Sequence, residues 1–241
     1  MRHPNIVEFS VVGDYALFSD PITRVGGEKC TYQIPTYEAL KGILSSVYWK
    51  PTIVWYIDKV RVMNPIRMEV KGIRTMKYNG GNDLSYYTYL KDCRYQVSAH
   101  FEWNENRPEL IGDRNENKHH EIAKRMIEKG GRRDIFLGTR ECQGYVEPCI
   151  FGDGEGAYDE TSLISFGHMY HGITYPDEAF SNETKGKMTL NFWYPEMRNG
   201  IIIFPKPQDC PNHKPLHEMK MKIFADNSGN FTGLREFGEV H

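Results

Sequence analysis

Lys118 and His119 stand side by side in the run D-R-N-E-N-K-H-H, from Asp113 to His120. Together they offer a positive charge and a group that takes or gives a proton near neutral pH. The flanking residues place both in the first turn of a helix. Ile122, Ala123, Met126 and Ile127 recur at helical spacing and form one apolar stripe. Asp113 and Asn115 offer side-chain oxygens for the N-cap, and Gly130-Gly131 supply a left-handed stop. Free backbone N–H groups and the helix dipole favour an anion at that end. Arg132 and Arg133 follow the helix, and Arg140 lies beyond a short apolar strand, Ile135 to Leu137. Three arginines near such a helix start suit a phosphate backbone. A plainer role stays open for His119, which is in line with Ile122, Ala123 and Met126 and would then top off the core.

Other chemistries lack their residues. No C-x-x-C or G-x-S-x-G is present. His119 and His120 are about 100° apart on a helix, too far round to share one metal readily. His168 and His171 are three apart in an expected strand, hence on opposite faces. Gly152 to Gly156 contains no lysine, so it is not a phosphate loop. Acid–base work on a phosphodiester, with neither metal nor cofactor, is what remains. RNA carries its own nucleophile, the 2′-hydroxyl; a histidine can take its proton and a lysine can stabilise charge on the phosphorane.

The elements that must position these groups follow from the pattern of the chain. Ile6 to Val12 alternates as a strand. Gly13 to Gln33 is a long connection carrying Arg24 and Lys29, either functional or a plain surface excursion. Thr36 caps a helix with the buried stripe Leu40, Ile43, Leu44 and Val47, Tyr48 in its last turn and Lys50-Pro51 as its end. Thr52 to Met63, rich in β-branched and aromatic residues, is the second strand.

From Arg61 to Tyr95 seven basic residues face three acids, interleaved with five tyrosines around Gly80-Gly81. Lys71, Arg74, Lys77 and Tyr78 are the RNA contacts this stretch suggests, cations for phosphates and rings for bases. A tyrosine-faced hairpin covering the sheet is the alternative. Arg94 to Trp103 is a third strand, and the helix after Asp113 with the strand Ile135 to Leu137 completes the order βαββαβ. That order is α+β, of ferredoxin-like or RRM type. It predicts one domain over residues 1–152. A small antiparallel β-sheet domain is expected over 153–241, with strands at Phe166 to Tyr175, Thr189 to Trp193 and Gly200 to Phe204, and a weakly patterned tail past Pro205.

Composition agrees with a soluble globular protein of 241 residues, with mean hydropathy –0.59. With no long apolar run and no signal-peptide pattern, no membrane association and a cytoplasmic location are expected. Five scattered cysteines suggest neither a disulfide framework nor a zinc site. The net charge is –2, but residues 1–141 hold 22 Lys+Arg against 18 Asp+Glu, while residues 142–241 hold 8 against 14. Any nucleic-acid surface therefore belongs to the first part.

In a βαββαβ unit both helices cover one face of the sheet and run antiparallel. The end of the first then lies beside the start of the second, which brings Tyr48 to Lys118 and His119. The topology thus predicts a trio of polar groups at one end of the helical layer.

Several long strings also resemble one family. They are G-D-Y-A-L-F-S-D-P (Gly13 to Pro21), P-T-Y-E-A-L-K-G-I-L (Pro35 to Leu44), Y-W-K-P-T (Tyr48 to Thr52), Y-N-G-G-N-D-L-S-Y-Y-T-Y-L (Tyr78 to Leu90) and N-E-N-K-H (Asn115 to His119). The most specific is G-G-R-R-D-I-F-L-G-T-R-E-C (Gly130 to Cys142). Over roughly residues 5 to 205 the chain is similar to the CRISPR-associated proteins of Cas family five, in the type I-C (subtype d) branch. The resemblance implies an RRM-like domain followed by a small β-sheet domain, and an endoribonuclease that cuts CRISPR repeat hairpins in the precursor transcript without a metal. It implies His119 as general base, Lys118 as charge stabiliser and Tyr48 as the residue that orients the scissile phosphate or its neighbour. It further implies that the protein stays on the 5′ handle of the CRISPR RNA beside the backbone and large subunits of a surveillance complex. Other members of Cas family five cap that 5′ end without cutting, which is the competing expectation. His120 receives no role.

Overall fold

The computed structural model describes residues 4–21, 23 and 27–221. In chain order the elements are β1 (Val7–Ala16), β2 (Lys29–Cys30), α1 (Tyr37–Val47), β3 (Ile53–Val62), β4 (Arg67–Met76), β5 (Asn82–Trp103), α2 (Glu116–Glu128), β6 (Ile135–Phe136) and β7 (Gln143–Pro148). They continue as β8 (Ile164–Ser165), β9 (Met169–Thr174), β10 (Lys187–Trp193), β11 (Glu196–Arg198), β12 (Ile201–Ile203) and β13 (Asn212–Glu218). The larger sheet runs β6-β7-β1-β5-β3-β12-β11-β8, with β2 and β4 also pairing with β5. The smaller sheet is β13-β10-β9. Within the larger one, β7-β1-β5-β3 is the antiparallel centre of a ferredoxin-like α+β fold, and α1 and α2 pack on it.

Both helices form where local signals place them. Thr36 caps α1, its hydroxyl accepting from the Ala39 N–H at 3.1 Å. Asn115 caps α2 by accepting from the Lys118 N–H at 3.0 Å. At the other end of α2, Gly130 and Gly131 take positive φ, and their N–H groups bond the carbonyls of Ile127 and Met126. Leu40, Leu44 and Val47 of α1 and Ala123 and Ile127 of α2 are buried against Phe9, Val97, Ala99 and Phe101 of the sheet.

Long-range pairing reshapes other expectations. The fourth central strand is β7, which pairs with β1, whereas Ile135–Phe136 only flanks β7 at the sheet edge. The Gly200 to Phe204 stretch does not join the smaller sheet: β12 pairs with β3 and, with β11 and β8, carries the larger sheet past residue 152. Beyond Pro205 the chain forms β13, which pairs along β10. The first strand runs on to Ala16, into the stretch expected as a connection. β5 is one 22-residue strand whose first part pairs with β4, building a hairpin arm that leaves the sheet. Arg61 of β3 is no surface cation; it is buried and bonds the Asp159 carboxylate at 2.7 Å and the Gly154 carbonyl at 2.9 Å.

Candidate active site

Tyr48 is the C-cap of α1. Its N–H still bonds the Leu44 carbonyl, but its backbone is extended, which turns the side chain off the helix axis. The indole N–H of Trp55, on β3, donates to the Tyr48 carbonyl at 2.7 Å and fixes that corner. On the other side a 3-10 turn, Pro108–Asp113, leads into α2 and delivers Asp113, Lys118 and His119.

The two ends meet as the topology predicts. The Tyr48 hydroxyl lies 2.7 Å from His119 Nδ1. His119 Nε2 lies 2.8 Å from the Asp113 carbonyl oxygen. A carbonyl only accepts, so Nε2 carries the hydrogen, and Nδ1 of the neutral ring accepts from Tyr48. The Asp113 carboxylate is bonded by Lys118 Nζ at 2.5 Å and by the Thr52 hydroxyl at 2.9 Å, and its Oδ2 lies 3.5 Å from His119 Nε2. One aspartate thus links lysine and histidine. It would also stabilise an imidazolium formed by proton uptake at Nδ1.

Burial separates the roles. His119 is fully buried among the rings of Phe101, Trp103 and Tyr48, and Tyr48 is 3 % exposed, whereas the Lys118 side chain is about half exposed. The imidazole therefore fills the core, the plainer of the two roles open to it in the sequence, and is hydrogen-bonded at both nitrogens. Burial, and secondarily the Asp113 carboxylate, push the Tyr48 phenol above its usual range, while Arg132 pulls it down. The hydrogen bond from Lys118, followed by that from Thr52, holds the Asp113 carboxyl below its usual range. His120 points elsewhere, with Nε2 at 3.0 Å from the Ile6 carbonyl.

The expected RNA-contacting residues fall into separate groups. Lys71, on β4, lies over the Tyr15 ring at 3.2 Å and sits 3.8 Å from Glu69. Arg74 is exposed further along the arm, Lys77 is 3.7 Å from Asp83, and Tyr78 is fully exposed at the tip. Arg132 and Arg133 are exposed beside the trio, their backbone N–H groups bonding the Ser46 carbonyl at 3.3 and 3.2 Å. Arg140 lies against the Phe136 ring at 5.8 Å. Arg24 lies outside the described residues. Among the described residues no three His, Cys, Asp or Glu side chains converge on a position that could hold a metal ion, and no helix is long and apolar enough to cross a membrane. Asp113 and Thr52 are the members of the cluster that sequence reasoning missed. Asp113 was visible only as an alternative N-cap.

An α+β protein of ferredoxin-like type, with polar groups gathered where its two helices meet, is the class that fold and site define. Comparison with known proteins gives the family. The model of the CRISPR-associated protein (Cas5) family, in its Cas5d form, matches residues 6–205. The CRISPR pre-crRNA endoribonuclease Cas5d of Mannheimia succiniciproducens is 34% identical over 230 residues, covering 83% of this chain and 95% of that protein. The protein of the same name from Thermus thermophilus is 28% identical over 219 residues, covering 83% and 91%. A crystal structure of a CRISPR-associated protein superposes with a TM-score of 0.73 at 34% identity, covering 87% of this chain and 96% of that one. The chain belongs to the Cas5d family of CRISPR-associated proteins.

Proposed function

We propose that this protein is an endoribonuclease that cuts CRISPR repeat hairpins in precursor CRISPR RNA by attack of the RNA's own 2′-hydroxyl. The observation that carries this reading is the Tyr48–His119–Asp113–Lys118 cluster. His119 Nδ1 is the basic atom: its lone pair is held toward Tyr48 by the Nε2–H bond to the Asp113 carbonyl. The Tyr48 hydroxyl covers that atom in the free protein and directs the substrate to it. Lys118, half exposed and next to the base, neutralises charge on the phosphorane once phosphate competes with Asp113 for its ammonium. The proton leaves the 2′-oxygen for His119, the 2′-oxygen bonds to phosphorus, and the bond to the 5′-oxygen breaks, that oxygen taking a proton from water while His119 returns its own to solvent. The ends are a 2′,3′-cyclic phosphate and a 5′-hydroxyl, and no step requires a metal.

The names of the two curated relatives support this activity. Arg74, Lys77 and Tyr78 on the arm and Arg132, Arg133 and Arg140 near the helix ends hold the RNA, and the protein stays on the 5′ handle within a type I-C surveillance complex, beside its backbone and large subunits. Incubation with a repeat hairpin RNA in EDTA tests the reading. Cutting at one position with cyclic-phosphate ends is expected. Tight binding without cutting would instead make the chain a non-catalytic cap of the 5′ handle.

A further inference from the structure

Among the described residues Asp113 supplies the only carboxylate within 4 Å of the Lys118 ammonium or the His119 ring nitrogens. That carboxylate does not cap α2, because Asn115 does. Its Oδ1 accepts from Lys118 Nζ at 2.5 Å. Its Oδ2 accepts from the Thr52 hydroxyl at 2.9 Å and lies 3.5 Å from His119 Nε2. Thr52 is 2 % exposed and fixed to the sheet, its carbonyl accepting from the Asn104 N–H at 2.9 Å. The carboxylate therefore has a rigid pivot at Oδ2, a half-exposed lysine that can leave Oδ1, and an imidazole N–H within a short swing.

Charge balance decides what that swing does. Proton uptake at His119 Nδ1 puts a second cation beside Lys118, on a fully buried ring. One carboxylate would then face two cations, and a buried charge without its own partner is costly. In the free protein Lys118 holds the carboxylate, and the His119 Nε2–H bonds the Asp113 carbonyl, a neutral acceptor. The other groups near the ring bring no anion: Tyr48 reaches it from α1, Arg132 acts on Tyr48 from beyond α2, and the sheet faces it with the rings of Phe101 and Trp103. RNA changes the count. Its phosphate is a second anion, and Lys118 is the exposed cation that can bond it.

We propose that Asp113 and Thr52 are positioning residues that make the base depend on bound substrate: phosphate draws Lys118 off the Asp113 carboxylate, which pivots on Thr52 to the Nε2–H of His119. Each cation then has one anion, Lys118 the phosphate and the imidazolium Asp113. The proton moved is the one already described, from the 2′-hydroxyl to Nδ1, and Asp113 stays ionised throughout. RNA that sets no phosphate against Lys118 leaves the base unsupported and is spared. The support of His119 rests on the proposed endoribonuclease reading, whereas the exchange of Lys118 between Asp113 and phosphate is read from binding alone.

The test uses full-length protein and a repeat hairpin RNA made uncuttable by a 2′-deoxy nucleotide at the cleavage position, with binding followed by fluorescence anisotropy. Wild type, Asp113→Asn, Lys118→Ala and the double variant form a cycle. Asp113→Asn releases Lys118 and should tighten binding, by about 2- to 5-fold more than the same change does in the Lys118→Ala background, the worth of a partly exposed ion pair. The negative charge it removes is common to both backgrounds and cancels. On all-ribo RNA at saturating protein, Asp113→Asn should nevertheless cut about 10- to 100-fold more slowly in a single turnover, although its carbonyl still holds the ring. Thr52→Val should slow cutting less and leave binding unchanged, and Asp113→Glu should recover part of the rate. Asp113→Asn that both binds and cuts worse than wild type would make Asp113 merely structural and refute the proposal. An absence of coupling in the cycle refutes the exchange, whatever the cutting rates. Coupling with cutting at the wild-type rate refutes the support of His119. Coupling with no cutting of all-ribo RNA even by wild type keeps the exchange and overturns the endoribonuclease reading, and the support of His119 falls with it.

Discussion

His171 gives the protein an acid-sensitive core whose cost can be worked out. The imidazole, on β9, is fully buried; it stacks on Tyr37 of α1 at 4.2 Å and meets Trp193 edge-on at 5.6 Å. Its Nε2–H donates to the Pro205 carbonyl at 3.0 Å. Burial pushes its pKa from 6.5 down to about 3, with Lys41 and His213 acting the same way and the Pro205 carbonyl opposing them. In the unfolded chain the ring protonates near ~6.5, so below that pH the unfolded state binds a proton that the folded state refuses. Stability is therefore flat above the unfolded value and falls, by up to about 1.4 kcal/mol per pH unit, until the folded value is reached. Between pH 7.5 and 4.5 this one group removes about 2–3 kcal/mol. His171→Phe keeps the ring and removes the titration, while leaving the Pro205 carbonyl without its donor costs about 1 kcal/mol. Wild type should be the more stable at pH 7.5 and the variant at pH 4.5. Urea unfolding of both proteins at the two pH values measures the difference, and carboxylates that titrate alike in both cancel. A swing under about 0.5 kcal/mol would mean that the ring is hydrated or opens locally, and the reasoning from burial would be refuted.

Replacing Lys71, Arg74 and Lys77 together with Ala should weaken RNA binding and reduce its dependence on salt, as measured by titrations between low and moderate salt; an unchanged slope would remove the arm from the interface. Gly138→Ala should destabilise the fold by about 1–3 kcal/mol in urea unfolding, because φ is +95° there and a Cβ would sit 2.0 Å from the Leu17 carbonyl oxygen.

What was legible in the sequence was mostly local. The caps Thr36 and Asn115, the apolar stripes and the Gly130-Gly131 stop depend on neighbours a few positions away, and all of them form. The meeting of Tyr48 with His119 was also accessible, because antiparallel packing of two helices on one sheet face leaves few arrangements. Strands that owe their existence to distant partners were not legible. β7 is short, polar and ends in proline, and only pairing with β1 makes it the fourth strand. Ile201–Ile203 looks alike whether it extends the larger sheet or the smaller one; its register with Lys59 to Arg61 decides. Asp113 was hidden for another reason. Two cap candidates stood two positions apart, and Asn115 took the cap, freeing the Asp113 carboxylate for Lys118 and Thr52. Nor does helical spacing tell a sealed His119 from an open one.

The central claim is that RNA supplies the nucleophile and His119 takes its proton. The most direct measurement compares cutting of an all-ribo repeat hairpin with the same hairpin carrying a single 2′-deoxy nucleotide at the cleavage position, both in EDTA. The account predicts that the deoxy RNA binds normally and is not cut. On the all-ribo RNA, His119→Ala should be slowed by about 10²–10⁴-fold, the usual worth of a general base. Cutting of the deoxy RNA at the all-ribo rate would contradict the account, because the attacking oxygen would then come from elsewhere.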